Sequence, residues 1–153
     1  MIKLIDVCKI YKTKDIETNA LKNVNIEFDN KGFTFILGPS GSGKTTLLNI
    51  IGGLDKASTG DILILNISIK DYSSKKFDEY RNTSVGFIFQ QYNLIDHLNV
   101  YDNIALPLRI QHIKIKDIKK SVDNLLDKFG LSDKKNKYPN QLSGGEKQRV
   151  AIA

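Results

Sequence analysis

The sequence predicts an α/β fold organised around a phosphate-binding loop, with an antiparallel β-subdomain wrapped about it and a helical insert in the second half. Three observations point there. The apolar run Phe33-Thr34-Phe35-Ile36-Leu37 leads directly into Gly38-Pro39-Ser40-Gly41-Ser42-Gly43-Lys44-Thr45-Thr46 and then Leu47-Leu48-Asn49-Ile50-Ile51, which reads as strand, glycine-rich turn and helix. Short segments with strand-like alternation flank this unit on both sides. From Tyr92 onward the apolar spacing becomes helical.

Within the turn, Gly38, Gly43, Lys44 and Thr45 stand at the spacing G-x-x-x-x-G-K-[ST]. Glycines let backbone N–H groups turn around phosphate oxygens with no Cβ in the way. The helix opening near Gly43 adds free N–H groups and a positive dipole end. Lys44 can reach β- and γ-phosphates as a point charge, and Thr45 can place its hydroxyl on Mg²⁺.

Taken in order, residues 2–11 read as a strand, with Ile2 and Leu4 on one face and Ile5 and Val7 on the other. Lys12 to Asn19 is polar and reads as a loop. Asn23 to Phe28 alternates, which places Val24, Ile26 and Phe28 inward. Asp29-Asn30-Lys31-Gly32 signals a turn, after which Phe33 to Leu37 is expected as a buried strand. Ser58-Thr59-Gly60-Asp61 reads as another turn, and Ile62 to Leu65, Asn66, then Ile67 to Ile69 as a hairpin. Ser73 to Arg81 is a short helix with a serine cap, and Ser84 to Phe89 a strand ending at Gln90-Gln91. Val100, Ile104 and Leu108 share a helical face interrupted by Pro107. Ile115, Ile118, Val122, Leu125, Leu126 and Phe129 form a long apolar stripe, which Gly130 terminates. Lys134 to Tyr138 is a basic loop, and Gln141 to Arg149 opens a last helix.

A chain of 153 residues suffices for a domain with a real core, and its 41% hydrophobic and 26% charged content is ordinary for a globular protein. The net charge of +6 invites a nucleic-acid reading, but the lysines are spread along the chain and alternate with acids, so no nucleic-acid partner is expected. Cys8 is the only cysteine, which excludes an intrachain disulfide and fits a reducing compartment. Asn66-Ile67-Ser68 and Asn82-Thr83-Ser84 match the glycosylation pattern by chance composition, since the N-terminus shows no apolar signal core. No run reaches bilayer length, so any work at a membrane requires another chain to span it.

The phosphate loop alone fits ATPases, GTPases and small-molecule kinases. Asp127-Lys128-Phe129-Gly130 matches the D-x-x-G of GTPases, but it ends an amphipathic helix and no N-K-x-D follows. A second motif separates the families. Leu142-Ser143-Gly144-Gly145-Glu146, followed by Lys147-Gln148-Arg149, resembles the signature of ABC-type ATPases, with Glu146 where the family usually has Gln. Physically it resembles a second anion site: Ser143 can cap the following helix, and Gly144 and Gly145 leave N–H groups bare at its positive end. The resemblance runs the whole length and implies a P-loop NTPase fold of ABC ATPase type, truncated before the Walker B strand. It implies a nucleotide-binding core with the β-subdomain over residues 1–90 and a helical subdomain with the signature over 91–153. The stretches 51–56, 86–95 and 103–108 are similar to the branch that powers lipoprotein release and macrolide or antimicrobial-peptide export.

The resemblance also assigns roles. Tyr11 is expected to stack on adenine. Gly38, Pro39, Ser40, Gly41, Ser42, Gly43, Lys44, Thr45 and Thr46 hold the phosphates of ATP. Thr45 and Gln90 serve Mg²⁺, and Gln90 also touches the attacking water. Ser143, Gly144, Gly145 and Glu146 take the γ-phosphate bound by a second ATP-binding subunit in a head-to-tail dimer. The implied partner is a membrane permease, whose coupling helix enters a groove near Gln90 to Val100, so that the subunit works at the cytoplasmic face of the membrane as a peripheral protein. A soluble ABC-type ATPase acting on DNA or ribosomes is the alternative. The Walker B strand, with its catalytic Glu, and the switch histidine lie downstream of the signature in the family. No apolar run ending in Asp-Glu occurs here, and His97 and His112 precede the signature. The sequence therefore reads as an N-terminal piece, expected to be inactive alone.

Overall fold

The computed structural model describes residues 1–153 as two compact units, Met1–Gly86 and Phe87–Ala153. In the first, β1 (Ile2–Lys12), β2 (Glu17–Phe28), β3 (Thr59–Ile64) and β4 (Ile67–Ser68) form one antiparallel sheet in the order β2-β1-β3-β4. Helices α1 (Lys44–Ile51) and α2 (Ser74–Ser84) complete the unit. Leu4, Val7, Leu21 and Ile62 from the strands bury against Leu47 and Ile50 of α1 and Phe77 of α2.

A strand with strict alternation puts residues i and i+3 on opposite faces, yet Leu4 and Val7 are both buried. Asp6 between them has φ 47°, and the β1–β2 register shifts between Leu4 and Val7. This bulge is clamped from β2: the Asp6 N–H donates to Asn25 Oδ1 at 2.9 Å, and Asn25 Nδ2 donates back to Asp6 Oδ1 at 2.8 Å. The bulge thereby moves Val7 to the core face, which corrects the expected grouping of Val7 with Ile5. On the β3 side Gly60 lies against Asp6 with φ 89°, and a Cβ there would sit 2.4 Å from the Asp6 carbonyl oxygen. The expected turn over residues 58–61 is thus the bulged start of a strand. The β3–β4 hairpin forms as expected, closed by Leu65 and Asn66, both with positive φ.

Four further expectations are corrected. β2 begins at Glu17, inside the expected loop, and Ile26 is exposed although Val24 and Phe28 pack on the core. Phe33 to Leu37 joins no sheet, and Phe33, Phe35 and Leu37 are 96%, 82% and 89% exposed. Val85 to Phe89 likewise belongs to no strand. The β-like composition of both stretches is real, but a strand exists only where a neighbour supplies the ladder, and no residue of this chain pairs with them. The sheet therefore does not wrap around a phosphate-loop strand.

The second unit is helical: α3 (Val100–Ile110), α4 (Ile115–Lys128) and α5 (Gly144–Ile152), with single 3₁₀ turns at Ser132–Lys134 and Pro139–Gln141. The first of these turns reaches into the expected basic loop. Asn99 caps α3 by accepting from the Asp102 N–H at 2.8 Å, and Pro107 is accommodated within the helix. Val100, Ile104, Ile118, Val122, Leu126, Leu131, Leu142 and Val150 make the core. The α4 stripe holds from Ile118 onward, while Ile115, its first residue, points to solvent. Gly130, with φ 63°, ends α4: its N–H donates to Asp127 O, and that of Leu131 to Leu126 O.

Candidate functional site

The glycine-rich turn is held against β2. Gly43 precedes α1 in the left-handed conformation, φ 88°, and a Cβ on it would lie 2.6 Å from Ala20 O and 3.0 Å from Leu21 Cδ2. Glycine is thus required twice over, by backbone conformation and by close approach. No side chain caps α1. The N–H groups of its first turn, which have no intrahelical acceptor, stay available to an anion at the positive end of the helix. The Lys44 ammonium is turned into the loop, donating to Gly38 O at 2.8 Å, Pro39 O at 2.6 Å and Ser42 Oγ at 3.3 Å. A cleft of about 580 Å³ opens here, lined by Thr18, Asn19, Ala20 and residues 40–46. Thr45 is exposed and Thr46 half-buried within it. Bare amides, one ammonium and several hydroxyls around a cleft are the donor set for a polyphosphate with a hard divalent cation.

Tyr11 lies near the end of β1, opposite Thr18 of β2, which is on the rim of that cleft. Its hydroxyl donates to Asp55 Oδ2, and the Lys9 ammonium sits 4.8 Å from its ring centroid. Lys9 in turn donates to Asp55 Oδ1 and to Lys56 O at 2.8 Å. Partial burial pushes the Asp55 carboxyl up. Hydrogen bonds from Lys9, Tyr11 and the Lys56 N–H, with the Lys9 charge, outweigh that and hold it below the ordinary carboxylate value. Sequence reasoning missed Lys9 and Asp55. The pairing joins residues 46 positions apart and has no local signature.

In the second unit, Ser143 is the cap of α5 and Glu146 completes a capping box. Ser143 Oγ accepts from the Glu146 N–H at 3.4 Å, while the Ser143 N–H and hydroxyl both donate to Glu146 Oε2 at 2.8 Å. These donors and Lys134, 3.5 Å from the other carboxylate oxygen, hold the Glu146 pKa below its usual value. The expected serine cap is therefore present. The N–H groups of Gly144 and Gly145 are left as the free donors of the first turn. Gln90 is exposed, in a turn after the irregular stretch 85–89 rather than at a strand end. Two residues on, Tyr92 places its hydroxyl over the signature turn, 3.2 Å from where a Gly144 Cβ would stand. Asn103 of α3 fixes the following segment, accepting from the Ile95 N–H at 2.8 Å and donating to Leu98 O at 2.9 Å. Neither Tyr92 nor Asn103 was singled out in the sequence.

The family profile described as "ABC transporter" matches residues 21–153. The lipoprotein-releasing system ATP-binding protein LolD of Buchnera aphidicola is 41% identical over 153 residues, which are 100% of this chain and 67% of that protein. The ABC transporter cassette MJ0796, solved as a dimer, superposes with a TM-score of 0.90 at 43% identity, over 99% of this chain and 67% of its own. A second structure of the same cassette, in a post-hydrolysis state with ADP and phosphate bound, gives the same TM-score at 42% identity. CbiO1 of Clostridium perfringens, described as part of the CbiONQ transporter complex, matches at TM-score 0.80 and 35% identity, over 99% of this chain and 59% of its own. The chain thus spans about two thirds of the length of the Buchnera protein and of MJ0796, and somewhat less of CbiO1.

Proposed function

This chain belongs to the ABC transporter family, and we propose that it is the ATP-binding part of a subunit that couples ATP binding and hydrolysis to transport through a separate membrane permease. The observation that carries the reading is the presence of two clusters of free first-turn amides, at Gly43–Thr46 and at Gly144–Gly145, each at the positive end of a helix. In this reading the loop amides and Lys44 hold the β- and γ-phosphates. Tyr11 offers its ring to the base. The Gly144 and Gly145 amides, with the Ser143 hydroxyl, meet the γ-phosphate held by a second copy. That arrangement is supported by the dimeric cassettes to which the chain is similar.

Thr45 carries a hydroxyl and Gln90 an amide oxygen, each a hard oxygen donor of the kind Mg²⁺ takes. When bound, it neutralises phosphate charge and polarises the γ-phosphoryl group. Thr45 and Gln90 would hold it, while Lys44 supplies the remaining positive charge.

The subunit is proposed to sit peripherally at the cytoplasmic face. No helix here is long and apolar enough to cross a membrane. The name of the Buchnera relative favours lipoprotein release as the kind of process served. These 153 residues contain no carboxylate positioned as a general base after an apolar strand, so they should bind ATP weakly and leave it intact. Competition binding with a fluorescent ATP analogue tests the assignment. ATP should compete better than GTP, and Lys44→Ala should remove binding. Phosphate release by the chain that is lost in Lys44→Ala would overturn the predicted inactivity. A GTP preference would overturn the nucleotide assignment.

A further inference from the structure

The hairpin between α3 and α4 carries side chains that the nucleotide reading does not use. Ile110, Ile113 and Ile115 are 60%, 41% and 85% exposed. Lys114, Lys116, Lys119 and Lys120 are all exposed and take part in none of the ion pairs of the molecule. Asp117 is the only acid between residues 103 and 122. The turn is fixed: the N–H groups of Gln111, His112 and Ile113 donate to Pro107 O, Arg109 O and Leu108 O at 3.0–3.1 Å, and His112 has φ 57°. Ile118, one turn into α4, is buried, so the apolar side chains of the tip are displayed by the fold rather than left over from its core.

We propose that this tip is a contact site for an anionic lipid surface. Ile113-Lys114-Ile115-Lys116 interleaves apolar and cationic side chains along the chain, and Lys116, Lys119 and Lys120 share a helical face. A nucleic-acid backbone would reward the lysines and leave the isoleucines in water. A bilayer with acidic headgroups takes both: ammonium groups at the phosphates and carboxylates, isoleucines at the headgroup–acyl boundary. Charge complementarity and the exposed apolar trio therefore select the same occupant. The proposal stands independently of the ATP reading.

The test is co-sedimentation with vesicles of phosphatidylcholine containing about one third phosphatidylglycerol, beside vesicles of phosphatidylcholine alone. The chain should partition onto the anionic vesicles and release as salt is raised. A triple change, Lys116→Glu, Lys119→Glu and Lys120→Glu, should lower partitioning on the order of a hundredfold, about fivefold per lysine. Ile115→Ser should lower it several-fold without changing the salt dependence, and serves as the second probe should the triple variant lose its helical circular dichroism. Attachment through the exposed Phe33 stretch would appear equally on neutral vesicles and ignore both substitutions. That result, no binding to anionic vesicles, or tighter binding to duplex DNA than to vesicles, would overturn the proposal.

Discussion

Tyr11 and Asp55 are joined by a 2.8 Å hydrogen bond from phenol to carboxylate, across 44 residues of sequence. Lys9 holds the other carboxylate oxygen at 2.6 Å and lies over the Tyr11 ring, so the orientation of that ring is set by an ion pair rather than by packing alone. Asp55→Ala should leave the largely covered Lys9 ammonium without its charged partner, holding only the Lys56 carbonyl, and cost about 2 kcal/mol, reduced from the fully buried case by residual exposure. Urea denaturation measures it. The Asp55 pKa is lowered in the folded state. Its contribution is therefore complete above the carboxylate pKa of the unfolded chain, and it fades as pH falls through the lower, folded value. The wild-type chain should lose stability on acidification more steeply than Asp55→Ala.

If Tyr11 stacks on the base, Tyr11→Phe should keep most of the nucleotide affinity, while Tyr11→Ala should lose about tenfold or more. Equal losses in the two variants would place the contribution in the hydroxyl and its tie to Asp55 instead. The same competition assay separates the outcomes.

Gly43→Ala should destabilise the first unit by about 2 kcal/mol or more, because the new Cβ meets the Ala20 carbonyl at 2.6 Å in a backbone conformation that alanine resists. Gly41 has a comparable φ of 78° but open space around it, so Gly41→Ala should cost about half as much, the conformational part alone. Thermal melts of the two variants side by side check the difference.

The phosphate loop, α1 and the Ser143 cap were legible because each is local: the residues that make the structure lie within a few positions of one another. Phe33–Leu37 and Val85–Phe89 misled for the opposite reason. Their composition is that of strands, but strand identity depends on a ladder partner that composition does not report. The Asp6 bulge and the Lys9–Asp55–Tyr11 triad were illegible because they arise where β1 meets two other elements. Ile115 was misplaced because periodicity gives the face of a helix and not where its neighbours end.

An extended segment with Phe33, Phe35 and Leu37 in water, unpaired backbone and no charge between Lys31 and Lys44 has none of the features that protect edge strands. The chain should associate at rising concentration. Phe35→Lys should shift that onset upward without altering the melting of the sheet, since this side chain supports no core. Light scattering across a dilution series reads the onset.

Ser143 and Glu146 satisfy each other at the start of α5, which makes the cap a switchable one. While the carboxylate is charged, it accepts both the Ser143 N–H and the Ser143 hydroxyl. The hydroxyl proton is thereby directed at Glu146 until an incoming anion competes for it. Ser143→Ala should destabilise the helical unit by about 1 kcal/mol, the usual worth of such a cap. Glu146→Gln retains an oxygen acceptor for the Ser143 N–H but removes the charge. It should therefore weaken the acid dependence of helix stability and give up the contribution of the charge near neutral pH. The sign follows from the lowered Glu146 pKa: the stabilisation it gives is present above the unfolded carboxylate value and lost on acidification through the folded one. Circular dichroism melts from neutral to acidic pH should show the wild-type helical transition falling faster than that of Glu146→Gln. Parallel curves would mean that the Glu146 charge carries none of the acid dependence of the helical unit.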